Sequence, residues 1–160
     1  MKTIIVYYSM GGNTEYAAQK IAEMLDADML QIYPKKAYPN KGFLKFVWGG
    51  KSAVMAETPE LEEYDFDAAA YDRVIIGFPV WASSITPPIR TFVKDNDISG
   101  KHISAFACEG GSGAEKAFDQ LKQAIGIDSF DSEVILVDPK DRPNEENEQK
   151  IKDFCAELIK

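Results

Sequence analysis

A loop of small and hydrogen-bonding residues follows the first apolar run of the chain. Between the run Thr-Ile-Ile-Val-Tyr-Tyr at residues 3–8 and a helical pattern at 14–25 come Ser9, Met10, Gly11, Gly12, Asn13 and Thr14. Unpaired N–H groups at a helix start attract anions, and adjacent glycines let the backbone wrap closely around one. The hydroxyl and amide side chains add further donors, so the loop is a candidate phosphate site. The alternative is a simple strand-to-helix turn in which Asn13 or Thr14 caps the helix.

The candidate phosphate loop contains neither lysine nor arginine. Nucleotide-hydrolysing loops end in Gly-Lys-Ser/Thr, because the lysine neutralises charge that develops on a transferred phosphoryl group. This loop lacks that ending. We therefore expect it to hold a phosphate with backbone N–H groups and hydroxyls, without transferring it.

Two further loops follow predicted strands and carry unusual residues. The second loop places a tryptophan beside a proline and comprises Pro79, Val80, Trp81, Ala82 and Ser83. A flat ligand can stack on such a tryptophan, although a single tryptophan packed under a loop is the simpler interpretation. The third loop is rich in glycine, so its amides can approach the edge of a ligand, and its candidate residues are Cys108, Glu109, Gly110, Gly111 and Gly113.

Hydrophobic patterns predict alternating strands and helices along the chain. The predicted strands are 3–8, 29–33, 73–78, 102–108 and 133–137, and the predicted helices are 14–25, 88–95, 114–125 and 144–159. Five apolar strands joined by helical crossovers indicate an α/β domain with a parallel sheet. Because parallel strands end at the same edge, the three loops should meet there, where such folds bind ligands.

Length, charge and cysteine content limit the function classes. The chain has 160 residues, enough for one domain over residues 1–160 with a sizeable core. Its 18 basic and 26 acidic residues give a formal charge of −8, which disfavours nucleic acid and anionic lipid and favours basic protein partners. Two cysteines form no disulfide framework, and neither a leader pattern nor a membrane-spanning run is apparent. We expect a cytoplasmic protein without membrane insertion.

The three loops together resemble those of the flavodoxin family. Ser-Met-Gly-Gly-Asn-Thr at 9–14 is similar to the family's phosphate loop S-x-T-G-N-T, Pro-Val-Trp at 79–81 to its inner flavin loop, and residues 108–113 to its outer one. The resemblance implies bound FMN and a doubly wound sheet of five parallel strands in the order 2-1-3-4-5 with helices on both faces. It also implies electron transfer between redox protein partners with basic surfaces, with no catalytic acid or base and no metal site in the chain.

Three departures from the family pattern affect what we expect of the site. Gly11 replaces a threonine that usually supplies a phosphate donor. Ala82 replaces a glycine at which the family flips a peptide, and positive φ costs alanine about 1 kcal/mol more than glycine. Residues 108–113 lack the family's outer tyrosine, which would expose a flavin face to a small quinone-like acceptor. Two alternatives therefore stay open: an FMN-dependent NAD(P)H:quinone-type oxidoreductase, and an FMN-free α/β interaction module.

The region 40–58 contains Trp48 followed by two glycines. This pattern is compatible with a lid that covers a flavin. The alternative is an amphipathic helix around 42–56 that packs on the sheet.

Overall fold

The computed structural model describes residues 1–39 and 50–160. Its strands form one five-stranded parallel sheet in the order β2-β1-β3-β4-β5, which confirms the predicted topology. The strands are β1 Thr3–Tyr7, β2 Asp28–Gln31, β3 Arg73–Pro79, β4 His102–Glu109 and β5 Glu133–Val137. Each lies within two residues of its predicted bounds.

In the described parts of the chain, four α-helices of nine or more residues connect the strands or close the fold. They are α1 Asn13–Leu25, α2 Pro87–Asp95, α3 Ala114–Ile125 and α4 Glu145–Ile159. Local sequence explains where they begin: α2 opens with two prolines, and Asn144 caps α4 by accepting a 2.8 Å hydrogen bond from the amide of Asn147. The predicted helices agree with these bounds to within one residue.

The helices cover both faces of the sheet, as predicted. On one face, α2 and α3 bury Phe92 and Phe118 against strand residues such as Phe78. On the other face, α1 and α4 bury Ile21 and Phe154. Each face thus has its own apolar core, and the central strands are apolar on both sides, as a two-sided parallel sheet requires.

Parallel pairing brings the carboxyl ends of the strands to one edge of the sheet. Tyr7 pairs with Gly77, and further along β3, Pro79 pairs with Cys108 on β4. The chain runs outward from β1 to β2 and returns to β3 on the other side of β1. This reversal is the switch point at which loops separate and leave a crevice.

The connection between β2 and β3 is less regular. Pro34 and Leu61 form an isolated antiparallel bridge, and residues 50–54 are helical. Trp48 and most of the proposed lid or helix at 42–56 lie outside the described residues. In the parts of the chain that the structure describes, we find no helix with the length and apolar character needed to cross a membrane.

Close packing between β3 and β4 predicts that Gly77 is essential for stability. A Cβ at residue 77 would overlap with Cζ of the fully buried Phe106 ring. We expect Gly77→Ala to lower the free energy of unfolding by about 1–3 kcal/mol, measured by urea denaturation. Gly100→Ala is the control, since nothing lies within 4 Å of its added Cβ. Equal stabilities of the two variants would contradict this packing.

Candidate functional site

The three predicted loops meet at the carboxyl edge of the sheet and enclose a cavity of about 300 Å³. Most of the predicted site residues line it: Ser9, Met10, Gly11, Asn13, Thr14, Pro79, Val80, Trp81, Cys108, Glu109 and Gly110. Asp138 and Asp141, which the sequence analysis did not select, complete the lining. The expected convergence of the loops is therefore present.

The 9–14 loop leads directly into α1 through a left-handed glycine. Gly12 has φ 96° and is the N-cap of the helix, and its carbonyl accepts a 3.0 Å hydrogen bond from the amide of Tyr16. The hydroxyl oxygen of Ser9 accepts a 3.2 Å hydrogen bond from the amide of Glu15. Helix start and loop are thus fixed to each other, with the first turn of α1 at the cavity.

Thr14 places a hydroxyl in this first turn. The residue lines the cavity but is only 1% exposed. Its Oγ1 has no hydrogen-bond partner of regular geometry among the described residues. It lies near the thiol of Cys108: burial raises the pKa of that thiol to about 12, and the contact with Thr14 opposes this rise. A buried hydroxyl costs free energy unless it is hydrogen-bonded, so Thr14 is suited to donate to a ligand.

Asn13 makes contacts that the sequence did not indicate. Its Oδ1 accepts hydrogen bonds from the backbone amides of Lys140 at 2.8 Å and Asp141 at 3.1 Å. Its Nδ2 donates to the carboxylate of Asp141 at 3.0 Å. Asn13 therefore ties the 9–14 loop to the connection between β5 and α4.

The β5–α4 connection is a fourth loop of the site. Arg142 donates from Nε and a terminal nitrogen to the carboxylate of Asp138 and from a terminal nitrogen to the carbonyl of Gly110 at 3.1 Å. It thereby fastens the third predicted loop. Sequence analysis missed this segment, although Asp-Pro-Lys-Asp-Arg at 138–142 directly follows the fifth predicted strand and so had to begin at the same edge.

Trp81 forms one wall of the cavity and is half-buried. Two tyrosine rings pack against it, nearly perpendicular to its plane. The centroid of the Tyr8 ring is 5.6 Å from that of Trp81 with an interplanar angle of 88°. For Tyr38 the distance is 5.2 Å and the angle 82°. Such T-shaped pairs are favourable because ring edges and faces carry opposite partial charge. Burial raises the pKa of both tyrosines, so both hydroxyls stay protonated at neutral pH. Tyr38 was not predicted to take part.

The second loop contains a tight turn with two non-glycine residues in the left-handed region. Trp81 and Ser84 exchange backbone hydrogen bonds of 3.1 and 2.9 Å, while Ala82 has φ 50° and Ser83 φ 59°. The sequence indicated that alanine would resist positive φ. The structure shows that Ala82 adopts it nevertheless, because pairing of Trp81 with Ser84 closes the turn around these two residues.

Contacts made by residues of the second and third loops shape the cavity. A Cβ at Gly113, which has φ 101°, would lie 2.7 Å from Oγ of Ser83, so the second and third loops touch where only glycine fits. Glu109 accepts a 3.0 Å hydrogen bond from the amide of Ala114 and thereby fixes the start of α3. The remaining predicted residues outside the lining are Gly12, Ala82 and Gly111.

The comparisons with known proteins agree with this architecture. The family model described as Flavodoxin matches residues 2–139, most of the chain. The chain belongs to the flavodoxin family. No curated protein sequence matches it significantly.

Solved structures of flavoproteins share the fold. A proposed flavoprotein from Bacteroides uniformis is 27% identical, with a TM-score of 0.75 over 94% of this chain and 97% of that one. A flavoprotein from Lactobacillus acidophilus in complex with FMN is 20% identical, with a TM-score of 0.70 over 88% and 95%. Oxidised Flavodoxin 2 from Bacillus cereus is 20% identical, with a TM-score of 0.63 over 99% and 98%. The predicted flavodoxin-like fold is thus confirmed.

The strained turn of this flavodoxin predicts a stabilising substitution. Ala82→Gly should raise the free energy of unfolding by about 0.5–1 kcal/mol, because glycine tolerates φ 50° and the relief exceeds its extra flexibility in the unfolded chain. The matched control is Ala156→Gly on the exposed side of α4, which should lower stability by about 1 kcal/mol. Urea denaturation measures both, and a loss of stability at position 82 would contradict the assigned conformation.

Proposed function

We propose that this flavodoxin binds FMN in the cavity at the carboxyl edge of the sheet and carries electrons between redox proteins. Family membership supports the predicted cofactor, as does the FMN complex of a structural neighbour. The observation that carries the proposal is that one cavity combines two features: the buried Thr14 hydroxyl, which has no regular hydrogen-bond partner among the described residues, and the half-buried indole of Trp81. The first suits a phosphate and the second a flat ring.

Each part of the cavity has one task in this proposal. The amides of the 9–14 loop and the Thr14 hydroxyl hold the phosphate. Trp81 packs against the flavin ring, with its orientation maintained by Tyr8 and Tyr38. The glycine-rich 108–113 loop brings amides to the ring edge. FMN supplies the redox chemistry when bound, so the chain itself needs to bind, orient and shield it.

The charge of the chain supports an electron carrier. A formal charge of −8 favours encounter with basic redox partners, because opposite net charges accelerate association. The departures noted in the sequence still allow a small quinone-like acceptor. We infer the carrier role because FMN would supply the redox chemistry and the acidic net charge favours basic protein partners.

Binding of FMN and the role of Trp81 are tested by quenching of flavin fluorescence. We expect the chain to quench FMN on titration, and Trp81→Ala to weaken affinity at least about tenfold, because it removes an aromatic stack and buried apolar area. Tyr71→Ala is the aromatic control, since Tyr71 precedes β3 and lies at the opposite edge of the sheet. If FMN neither loses fluorescence nor raises the melting temperature, the chain is an FMN-free module. If Trp81→Ala binds as the wild type does, the stacking assignment fails.

The carrier role predicts a second result. The FMN-loaded protein alone should not oxidise NADH or NADPH in the presence of a quinone. The absorbance of the reduced nicotinamide measures this oxidation. The protein should become active when a flavodoxin reductase is added. Rapid oxidation by the protein alone would instead establish the oxidoreductase alternative.

A further inference from the structure

We propose that Lys140, on the loop between β5 and α4, binds the cofactor's phosphate and supplies the positive charge that the 9–14 loop lacks. The inference rests on the proposed binding of FMN. It assigns a residue beyond the part of the chain that the family model matches, which ends at residue 139.

The side chain of Lys140 lies over the phosphate loop. A Cβ at Gly12 would be 2.6 Å from its Nζ and 3.2 Å from its Cδ. Because glycine has no side chain, residue 12 leaves room for the side chain of Lys140. The ammonium group is thus at the start of α1, where backbone N–H groups and the helix dipole already favour an anion.

The backbone of Lys140 is fixed relative to that loop. Its amide donates to Oδ1 of Asn13, as does the amide of Asp141. Arg142 holds the same connection to Gly110 and Asp138. Because the backbone on both sides of Lys140 is held by hydrogen bonds, binding of a ligand costs less conformational entropy than it would for a lysine on a mobile loop.

The Thr14 hydroxyl is an independent sign that a ligand binds at this point. It is buried, lines the cavity and has no regular hydrogen-bond partner among the described residues. The amides at the helix start, this hydroxyl and the ammonium group of Lys140 form a donor set typical of a phosphate site. None of these groups is paired with a carboxylate in the described parts of the chain.

Charges around the cavity favour a cation close to the bound phosphate. Three acidic residues line the cavity: Glu109, Asp138 and Asp141. Arg142 pairs with Asp138, whereas among the described residues the Asp141 carboxylate accepts a hydrogen bond from the neutral amide of Asn13 and has no basic partner. A dianionic phosphate would therefore meet uncompensated negative charge. Lys140 offsets it, because opposite charges near a protein surface attract appreciably within a few ångströms.

The experiment compares FMN with riboflavin, which has the same ring and no phosphate. Lys140→Met removes the charge and keeps the length of the side chain. We expect it to weaken FMN affinity about 10- to 100-fold and to leave riboflavin affinity unchanged. FMN binding by the variant should also depend less on ionic strength. Lys140→Arg should retain most of the wild-type affinity.

The matched control is Lys101→Met, which makes the same charge change just before β4, at the opposite edge of the sheet. It should bind FMN like the wild type. Wild-type protein that fails to bind FMN overturns the proposed function and with it this inference. Wild-type binding that Lys140→Met leaves unchanged overturns the role of Lys140 alone. Equal losses of FMN and riboflavin affinity also overturn it, since they would show a disturbed cavity.

Discussion

The parallel hydrogen bonds of β1 to a strand on each side determine where the helices and the loops of the site lie. β1 pairs with β2 on one side and β3 on the other, and all pairings run in the same direction. Since each parallel pair needs a crossover, the helices must pack on the faces, and every strand must end at one edge. The cavity is a consequence of this arrangement, because loops that leave β1 and β3 diverge to opposite faces.

The crevice becomes a defined site through contacts between its loops. Gly113 lies against Ser83, Arg142 reaches Gly110, and Asn13 reaches the amides of Lys140 and Asp141. These contacts are polar or limited to small residues, so they position the loops without filling the space between them. The apolar side of the cavity depends instead on Trp81 and its two tyrosines. A site with one polar end and one aromatic wall matches a ligand that carries a charge at one end and a flat ring at the other.

The sequence was sufficient to predict the strands of the sheet. Each strand is a short apolar run bounded by turn residues, and such a run can be recognised from neighbouring residues alone. The sequence was also sufficient for the loops after β1, β3 and β4, whose compositions are unusual. It was insufficient for Lys140 and Arg142, whose contacts with Asn13 and Gly110 join residues far apart in the chain. Ala82 shows that a prediction from local preference can also fail. Its local preference is real, but hydrogen bonds between its neighbours override it.

The link between Asn13 and the β5–α4 loop has a consequence for biosynthesis. During translation, the 9–14 loop leaves the ribosome long before residues 138–142 exist, so its partner amides are missing while the first four strands assemble. The polar end of the cavity is completed only when β5 adds to β4 at the edge of the sheet. We therefore expect the cofactor to bind late, after translation, when the fold is nearly complete. It would then not act as a template around which the nascent chain folds.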